Sequence, residues 1–278
     1  MSELIVTSDE LKSHFSSMEE LYATQPQLSF SAIIMGLYGV GKTSLITTGP
    51  KPWLIDSFDP KGTVVLELNM KDEIEAGNLV IRKFWNEDYM APTEYNRWEA
   101  IHEKDISTGF LNHFGTYAID SFTTFLDSMA NQLSRYMKRD RKVQKLAIND
   151  YLVIYDQMKS VIKTVSSQNC NFIMTAHLET YIDKVTEETR TEIKGYKGLK
   201  TDVPLLFTEK YVLETEEAPP PKNIKYNLYT RAAGKFRAST QLGSGGKLKD
   251  IEEPNLREIM KKTGFSFEDK PSLKEVFK

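Results

Sequence analysis

One eight-residue segment constrains this chain more than any other feature of its sequence. It has glycine at its first, fourth and sixth positions and ends in a lysine followed by a threonine. Its residues are Gly36, Leu37, Tyr38, Gly39, Val40, Gly41, Lys42 and Thr43. The apolar run 30–35 precedes the segment, and the helix-forming run 44–46 follows it. This order predicts a strand, a glycine-rich turn and a helix.

The residue types in this segment suit the binding of phosphate groups. Glycines let backbone N–H groups turn inward around phosphate oxygens, where a Cβ atom would block their approach. The ammonium group of Lys42 can contact β- and γ-phosphates, and the hydroxyl of Thr43 can bind Mg²⁺. The following helix directs its positive end at the same anion. We therefore predict that residues 36–44, including Ser44, bind ATP with Mg²⁺.

Apolar runs alternate with helix-like segments along most of the chain. This alternation predicts an α/β fold, with a mostly parallel central sheet and helices on both faces. After residue 177 the pattern changes to that of β-hairpins, so a C-terminal β-hairpin extension is expected. Strands are expected at 30–35, 52–56, 79–84, 117–119, 172–175, 211–214 and 226–231, with a long helical region at 122–166 and a hairpin at 180–195.

Both ends of the chain carry helix signals. Residues 7–24 are expected to form an amphipathic helix, because Thr7 and Glu10 have the spacing of a capping box. Near the other end, Pro254 is expected in the first turn of a short helix that Gly264 stops. We divide the chain into an N-terminal helical extension (1–27), an ATPase core (28–248) and a C-terminal helix and tail (249–278).

The composition is that of an ordinary globular protein, with 40% apolar residues and a net charge of −3. The single cysteine, Cys170, allows no intramolecular disulfide, which fits a reducing compartment. No apolar run approaches the roughly 20 residues that cross a bilayer, and the N-terminus lacks a signal-peptide pattern. We therefore expect a cytoplasmic protein with no membrane partner. The net charge argues against a polycation that coats nucleic acid by charge alone.

A second acidic group is needed to hold the metal at the end of a buried strand. Asp120 follows the apolar run 117–119, so it is expected at the carboxyl edge of the sheet, where ligands bind in open α/β folds. Asp120 could instead cap the helix that begins near Phe122, and both roles can hold together.

Hydrolysis also needs a group that orients the attacking water. Asp59 is the first candidate for this base, and Asp56 and Glu67 stay open beside it. The Asp-Pro pair at 59–60 is also a common turn starter, so a structural role for Asp59 competes with catalysis. His177 follows a buried strand and could sense the γ-phosphate, although a lone histidine is often an ordinary satisfied residue.

With these residues in place, the chain resembles a RecA-type P-loop ATPase over about residues 28–240. The resemblance implies a three-layer RecA-like core. Its size and the segment 203–207 look most similar to small phage-encoded RecA-like proteins of DNA recombination and single-strand annealing. The resemblance rests on the phosphate loop, 55–60 (IDSFDP), 117–121 (YAIDS) and 173–177 (IMTAH).

The resemblance also implies roles for individual residues. RecA-type proteins carry a catalytic Glu after the strand that follows the phosphate loop, and Asp59 stands there slightly displaced. His177 would take the place of the usual polar sensor. Related ring-forming motors place a Lys-x-Arg pair on a late strand that reaches into the neighbour's site, and Lys235 and Arg237 are similar. The alternative for this pair is an exposed basic strand.

The same resemblance places a DNA-facing segment after the helix that begins near Phe122. Basic residues and one tyrosine are concentrated there, and the tyrosine could stack on a base. The alternative is a solvated helix face. The flexible segment 243–247 is a second candidate. The first candidates are Arg135, Tyr136, Lys138, Arg139, Arg141 and Lys142.

Two functions from different classes fit these features. The first is an oligomeric, DNA-stimulated ATPase of phage recombination or replication. Its partners would be single-stranded DNA, further copies of the chain in a ring or filament, and a single-strand-binding or other replication protein. The second is a nucleotide-gated protein-binding module with slow or absent hydrolysis. A small-molecule kinase is a weaker third idea, because nothing marks an acceptor pocket.

Overall fold

The parallel sheet predicted by the strand–helix alternation forms the centre of the computed structural model. The structure describes residues 8–23, 29–86, 91–136, 146–182, 187–217, 219, 224–243 and 245–278. In these residues the strands are β1 (Ser31–Gly36), β2 (Trp53–Ser57), β3 (Leu79–Lys83), β4 (Thr116–Asp120), β5 (Asn171–Ile182), β6 (Thr189–Ile193), β7 (Glu209–Glu217), β8 (Ile224–Tyr229), β9 (Ser239–Thr240) and β10 (Ile251–Glu252).

The helices pack on the two faces of this sheet or extend from it. They are α1 (Ser8–Ala23), α2 (Lys42–Ile46), α3 (Val64–Asn69), α4 (Lys71–Ala76), α5 (Glu94–Ser107), α6 (Phe122–Tyr136), α7 (Ile148–Ser166), α8 (Lys197–Asp202), α9 (Leu256–Thr263) and α10 (Leu273–Val276). Short 3₁₀ helices span Phe110–His113 and Val203–Leu206. In the described part of the chain, no helix is long and apolar enough to cross a membrane.

The order of the strands decides which residues meet at the sheet's edge. Across the sheet the order is β10–β8–β7–β1–β5–β4–β2–β3, while β6 pairs with β5 and β9 pairs with β7. All pairings from β7 through β1, β5, β4 and β2 to β3 are parallel. The carboxyl ends of these strands therefore lie along one edge. The prediction of a mostly parallel sheet with helices on both faces is confirmed.

The predicted hairpin at 180–195 is also present. β5 continues past the edge of the parallel sheet and pairs antiparallel with β6, with Leu178 opposite Ile193. This continuation makes β5 longer than the expected strand 172–175. A second antiparallel pair, β7 and β8, forms beside β1.

Several local features differ from the expectations. The segment 64–76 forms α3 and α4, which the sequence did not indicate. Pro254 lies outside the helix it was expected to begin, because α9 starts at Leu256. Asn255 caps that helix instead, and its side-chain oxygen accepts the backbone N–H groups of Arg257 and Glu258. The expected cap at Thr7 lies outside the described residues.

Alternation along β1 divides the core between the two faces of the sheet. Ile33 and Met35 join the cluster packed under α5, α6 and α7. Ala32 and Ile34 face the opposite cluster, which includes residues of α2, α3 and α9. Period-two alternation of apolar residues that are all buried is expected for a central strand covered on both faces.

The C-terminal tail is attached to the amino edge of the sheet. The backbone of Lys51 donates to the Asp269 carboxylate at 2.7 Å. The backbone N–H of Lys270 in turn donates to the carbonyl of Lys51 at 2.9 Å, and that of Leu273 donates to the carbonyl of Gly77 at 3.2 Å. The division into an extension, a core and a tail stays a prediction.

A buried ionic network lies between the sheet and α5. The side chain of Asp56 is fully buried. Its carboxylate accepts hydrogen bonds from the indole of Trp98 at 2.8 Å and from the hydroxyl of Tyr117 at 2.7 Å. Arg82 donates two hydrogen bonds to Asp56, at 2.6 and 2.7 Å, and one to Asp105 at 2.5 Å. Burial lowers the pKa of Arg82, but the charge of Asp56 outweighs it, and the net pKa is raised.

We predict that Arg82→Met destabilises the fold by about 3–5 kcal/mol, because it leaves the Asp56 carboxylate buried without a countercharge. Urea unfolding followed by circular dichroism measures this loss. Lys83→Met is the matched control, because Lys83 lies on the same strand and pairs with Glu67 at 2.8 Å near the surface. Its cost should be about 1 kcal/mol or less. Equal losses for the two variants would contradict the assignment.

Candidate active site

The glycine-rich segment forms a tight loop between β1 and α2. Gly39 and Gly41 have φ angles of 81° and 92°, in the left-handed region that glycine adopts without strain. Gly36 has a different reason: a Cβ atom there would lie 2.7 Å from the carbonyl oxygen of Leu213. The loop therefore requires glycine both for its turns and for its close approach to β7.

Lys42 is buried at the start of α2, with 6% of the residue exposed. Its ammonium group donates to the backbone carbonyls of Gly36 at 3.0 Å and Leu37 at 2.8 Å. Burial lowers the pKa of Lys42, and the charges of Asp120 and Asp59 oppose this effect. The ammonium group is thus held against the inside of the loop. An anion bound in the loop would replace the two carbonyls as the hydrogen-bond partner of the ammonium group.

Asp120 lies at the end of β4, fully buried and hydrogen-bonded on both oxygens. One oxygen accepts from the Thr43 hydroxyl at 2.8 Å, and the other accepts from the Thr175 hydroxyl. Burial raises the pKa of Asp120, and the charge of Asp59 raises it further. β4 is not next to β1, because β5 lies between them and contributes Thr175.

A hydroxyl and a carboxylate are suitable ligands for Mg²⁺. Thr43 and Asp120 are the residues that fit it here, since their oxygens already lie 2.8 Å apart. Among the described residues, no cluster of three or more His, Cys, Asp or Glu side chains could hold a metal alone. A magnesium ion at this position therefore needs water and phosphate oxygens to complete its shell.

Asp59 lies in the loop after β2, and its carboxylate is held by three side chains. One oxygen accepts from the hydroxyls of Ser121 at 2.8 Å and Thr124 at 2.5 Å. The other lies 3.0 Å from Nε2 of His177. Burial raises the pKa of Asp59, but the hydrogen bonds from His177, Thr124 and Ser121 outweigh it, and the net pKa is lowered. Asp59 therefore stays ionised.

His177 connects this carboxylate to the lysine of the loop. It lies on β5 directly opposite Gly36, and its Nδ1 is 3.4 Å from the ammonium nitrogen of Lys42. An ammonium group can only donate, so Nδ1 is the accepting nitrogen. Nε2 then carries the hydrogen and donates to Asp59. A continuous path runs from Lys42 through His177 to Asp59.

The two other candidate bases lie elsewhere. Asp56 belongs to the buried network with Arg82 and has no free oxygen facing the loop. Glu67 accepts from the hydroxyl of Thr63 at 3.0 Å and from Lys83 at 2.8 Å, on the surface of α3. Of the three acids, Asp59 is the one joined by hydrogen bonds to His177.

Lys235 and Arg237, expected on a strand, lie instead in and after a tight turn, because Ala233 and Phe236 form an isolated β-bridge. Phe236 points inward, so both basic side chains are exposed. Lys235 pairs with Glu214 at 3.4 Å.

The stretch proposed to bind DNA lies mostly outside the described residues. Arg135 and Tyr136 belong to the last turn of α6, and the basic residues 138–142 follow beyond it. Part of the second candidate, 243–247, is described as a turn, and Ser244 lies outside the description.

The sequence did not indicate the hydroxyls that hold the two acids. In the sequence, no motif distinguishes Ser121, Thr124 and Thr175 from other serines and threonines, and their hydrogen bonds to the two acids form only in the folded chain. Ser121 follows Asp120 directly, and Thr175 precedes His177 by two residues, so proximity along the chain was the available signal. Their partners in Asp59 and Asp120 become visible only in the fold.

A second missed feature is a cleft of about 960 Å³ beside α2. Gly41 and Thr48 line it on the helix side, and Tyr226 and Asn227 line it on β8. The ring of Tyr226 passes 3.5 Å from the position of a Cβ atom at Gly41, so it lies against the phosphate loop. Mostly apolar clefts with a few polar groups are the usual form of small-molecule sites.

The loop, the acid at the end of β4 and the mostly parallel sheet define the class of this protein as a P-loop NTPase. A family model described as "AAA domain" matches residues 29–239. The chain therefore belongs to this AAA domain family. No curated protein sequence matches the chain significantly.

Solved structures show similar chains at low identity. The ATPase of a bacterial type III secretion system has 15% identity over 67% of this chain, with a TM-score of 0.42. The chain spans about half of that protein, 52% of its length. The flagellar accessory protein FlaH of Methanocaldococcus jannaschii has 13% identity over 81% of this chain and 88% of its own, with a TM-score of 0.38. The RadB recombinase has 10% identity over 76% of this chain and 92% of its own, with a TM-score of 0.40.

We predict that Thr124→Val raises the pKa of Asp59, because it removes a donor that stabilises the carboxylate. A carbon-13 NMR titration of the Asp59 carboxyl measures it. Because the pKa of Asp59 is lowered in the folded protein, its contribution to stability is present above its ordinary pKa and is lost as the pH falls. Thr108→Val is a surface control at the end of α5 and should leave the titration unchanged. An unaltered Asp59 titration in Thr124→Val would refute the role of this hydroxyl.

Proposed function

We propose that this chain is a magnesium-dependent ATPase of the RecA-like type, phage-encoded, that acts on single-stranded DNA in recombination or replication. The observation that carries the ATPase proposal is the hydrogen-bonded cluster at the carboxyl edge of the sheet. Its members are Lys42, Thr43, Asp59, Asp120 and His177. The phage origin and the DNA substrate rest on the sequence resemblance.

The triphosphate would lie in the loop 36–43, with backbone N–H groups and the start of α2 directed at it. Lys42 would exchange its contacts with the carbonyls of Gly36 and Leu37 for phosphate oxygens. Thr43 and Asp120 would hold Mg²⁺, which neutralises phosphate charge when bound. The ionised Asp59 would orient the attacking water.

His177 would report whether a γ-phosphate is present. Its Nδ1 faces the Lys42 ammonium, and this contact competes with any anion that attracts the lysine. When this contact is lost, Nδ1 of the imidazole has no partner while Nε2 keeps its hydrogen bond to Asp59. Since the carbonyl of His177 accepts from the backbone of Lys194 at 2.8 Å, a shift would reach the β5–β6 hairpin.

The nucleoside would occupy the cleft beside α2. Gly41 and Ser44 line both the loop and this cleft, so a triphosphate in the loop can extend its sugar and base into it. Tyr226, 46% exposed, presents a ring on which a base can stack.

DNA binding and self-association complete the proposal. The basic stretch 135–142 is the proposed DNA contact, with 243–247 as the second candidate. The exposed Lys235 and Arg237 would reach the neighbouring copy's site in a ring or filament. Such a finger is worth roughly 10³–10⁵ in rate, so an isolated subunit would hydrolyse ATP slowly. A single-strand-binding or other replication protein is a further partner, and the location is the host cytoplasm.

We predict that Asp59→Asn lowers ATP turnover by about 10² or more, because the base that orients water is lost. Phosphate release measures turnover, and calorimetry checks that MgATP still binds. Asp72→Asn, an exposed acid on α4, is the control and should keep full activity. Full turnover in Asp59→Asn would exclude this residue as the base.

We predict that single-stranded DNA accelerates phosphate release at protein concentrations high enough for assembly. Changing Lys138, Arg139, Arg141 and Lys142 to Gln should abolish this stimulation. The affinity for DNA should also depend less on salt concentration, because fewer contacts to DNA phosphates then release counterions. The double change Lys71→Gln and Lys274→Gln removes charge elsewhere and should leave stimulation intact. Turnover that is indifferent to DNA at low salt would count against the DNA proposal.

A nucleotide-gated protein-binding module is the second candidate function. One observation favours it: both oxygens of Asp59 are already occupied by Ser121, Thr124 and His177, which leaves a weak base. In that case ATP binds tightly, a protein partner is captured, and phosphate release stays near zero with or without DNA. The phosphate-release assay therefore separates the two functions.

We predict that Tyr226→Ala weakens ATP binding by about tenfold, because the base loses a stacking surface. Inorganic tripolyphosphate, which has no base, should bind both forms equally. Calorimetric titrations of the two ligands measure the difference. Tyr181→Ala, an exposed tyrosine on the β5–β6 hairpin, is the matched control. If Tyr226→Ala lost the same affinity for ATP and for tripolyphosphate, Tyr226 would act on the phosphate loop and not on the base, and the prediction would be wrong.

A further inference from the structure

Thr123, in the first turn of α6, has a buried hydroxyl at the base of the β5–β6 hairpin. The residue is 6% exposed. Its hydroxyl oxygen accepts the backbone N–H of His177 at 3.2 Å, and the hydroxyl donates to the backbone carbonyl of Lys194 at 3.4 Å. The backbone N–H of Lys194 donates in turn to the carbonyl of His177 at 2.8 Å. A hydroxyl has one donor and two acceptor positions, so Thr123 can form both of its contacts together.

The N–H of His177 depends on this hydroxyl because the neighbouring strand of the sheet has already ended. β4 pairs with β5 as far as Ile119, which lies opposite Met174, and β4 ends at Asp120. β5 continues to Ile182, so His177 lies beyond the end of β4. Backbone N–H groups that are shielded from water nearly always have an acceptor. For His177 that acceptor comes from a side chain of α6 and not from the sheet.

The same part of α6 also holds the carboxylate that contacts the ring of His177. Ser121 and Thr124 donate to Asp59 at 2.8 and 2.5 Å, and Nε2 of His177 lies 3.0 Å from the other oxygen of Asp59. The start of α6 therefore fixes both ends of the hydrogen bond between Asp59 and His177. Two hydroxyls hold the carboxylate, and Thr123 holds the backbone that carries the ring.

The chain that follows β6 passes close to α6, which keeps these contacts together. A Cβ atom at Gly195 would lie 3.2 Å from the ring of Phe122 and 3.3 Å from a methyl carbon of Leu126. These distances are tight for a Cβ atom, so the close approach favours glycine at this position. Because Gly195 lies against α6, the adjacent Lys194 is held near Thr123.

We propose that Thr123 is a positioning residue of the ATPase site, which holds the backbone of His177 so that its imidazole ring bridges Lys42 and Asp59. The hydrogen bonds of Thr123 go to backbone groups, so it acts through the histidine. Nδ1 of His177 is 3.4 Å from the Lys42 ammonium nitrogen, which is already longer than the roughly 2.7–3.2 Å of most such hydrogen bonds. A small shift of the His177 backbone therefore breaks this contact. The effect on turnover rests on the proposed ATPase function, whereas the effect on the ring does not.

The test is nitrogen-15 NMR of the His177 ring in the full chain and in Thr123→Val, at a pH where the ring is neutral. Valine keeps the shape of threonine and removes the hydroxyl. In the native chain the two ring nitrogens should give the separate signals of one tautomer, with the hydrogen on Nε2. In Thr123→Val the two signals should move toward each other, because the ring no longer keeps one set of partners.

Thr123→Ser keeps the hydroxyl and should give the native signals. If Thr123→Val does not fold, Thr123→Ala removes the same hydroxyl without a methyl group facing the N–H, and its signals decide in the same way. Native signals in the variants that lack the hydroxyl, or altered signals in Thr123→Ser as well, would overturn the proposal.

Kinetics separate this role from the proposed function. In Thr123→Val, kcat at saturating MgATP should fall by about tenfold or more, because small misplacements of active-site groups lower the rate steeply. The affinity for ATP should be unchanged, because Lys42 and the loop are intact. Thr263→Val is the matched control, since Thr263 is 7% exposed on α9 and its hydroxyl donates to the backbone carbonyls of Ile259 and Met260. It should leave the ring signals and kcat unchanged.

The two readouts fail separately. A native chain that releases no phosphate would contradict the proposed ATPase, and the ring signals would still decide the role of Thr123. Native turnover in Thr123→Val, or an equal fall of kcat in Thr263→Val, would refute Thr123 as a positioning residue.

Discussion

The buried charge of Lys42 is the constraint on which the carboxyl edge of the sheet depends. An ammonium group that is almost fully covered needs partners, and the loop carbonyls, His177 and the charges of Asp59 and Asp120 supply them. Each of these partners is fixed by others: Thr43 and Thr175 hold Asp120, and hydroxyls hold Asp59. The side chains of the chain itself thus hold the charged groups of the site in place. Preorganised charges of this kind stabilise a reacting anion without further rearrangement.

The order of the strands explains how these residues meet. β5 lies between β1 and β4, so His177 faces Gly36 while Thr175 reaches Asp120. The same strand leaves the sheet as the hairpin with β6, which makes it the physical connection between the phosphate loop and a distant surface. The loop after β2 then brings Asp59 back to the edge.

Features that depend on neighbours in the chain were readable from the sequence, and features that depend on distant contacts were not. The glycine loop, Asp120 and the hairpin after 177 carry local signals of spacing and periodicity. By contrast, the hydroxyls of Ser121 and Thr124 matter only because the loop of Asp59 folds onto them. Pro254 led us to predict that α9 begins near that residue, but the helix begins after Asn255. The side chain of Asn255 accepts hydrogen bonds from the first free N–H groups of the helix, and proline has no side-chain acceptor for them.

The most direct test of the central claim is a calorimetric titration of MgATP into the native chain and into Lys42→Ala. The account predicts that the native chain binds ATP and that binding weakens when magnesium is removed. In Lys42→Ala the affinity should fall by about tenfold or more while the fold is kept, because a charge-assisted contact to phosphate is lost. Native protein with no magnesium-dependent affinity for ATP, or a Lys42→Ala variant that binds as tightly, would contradict it.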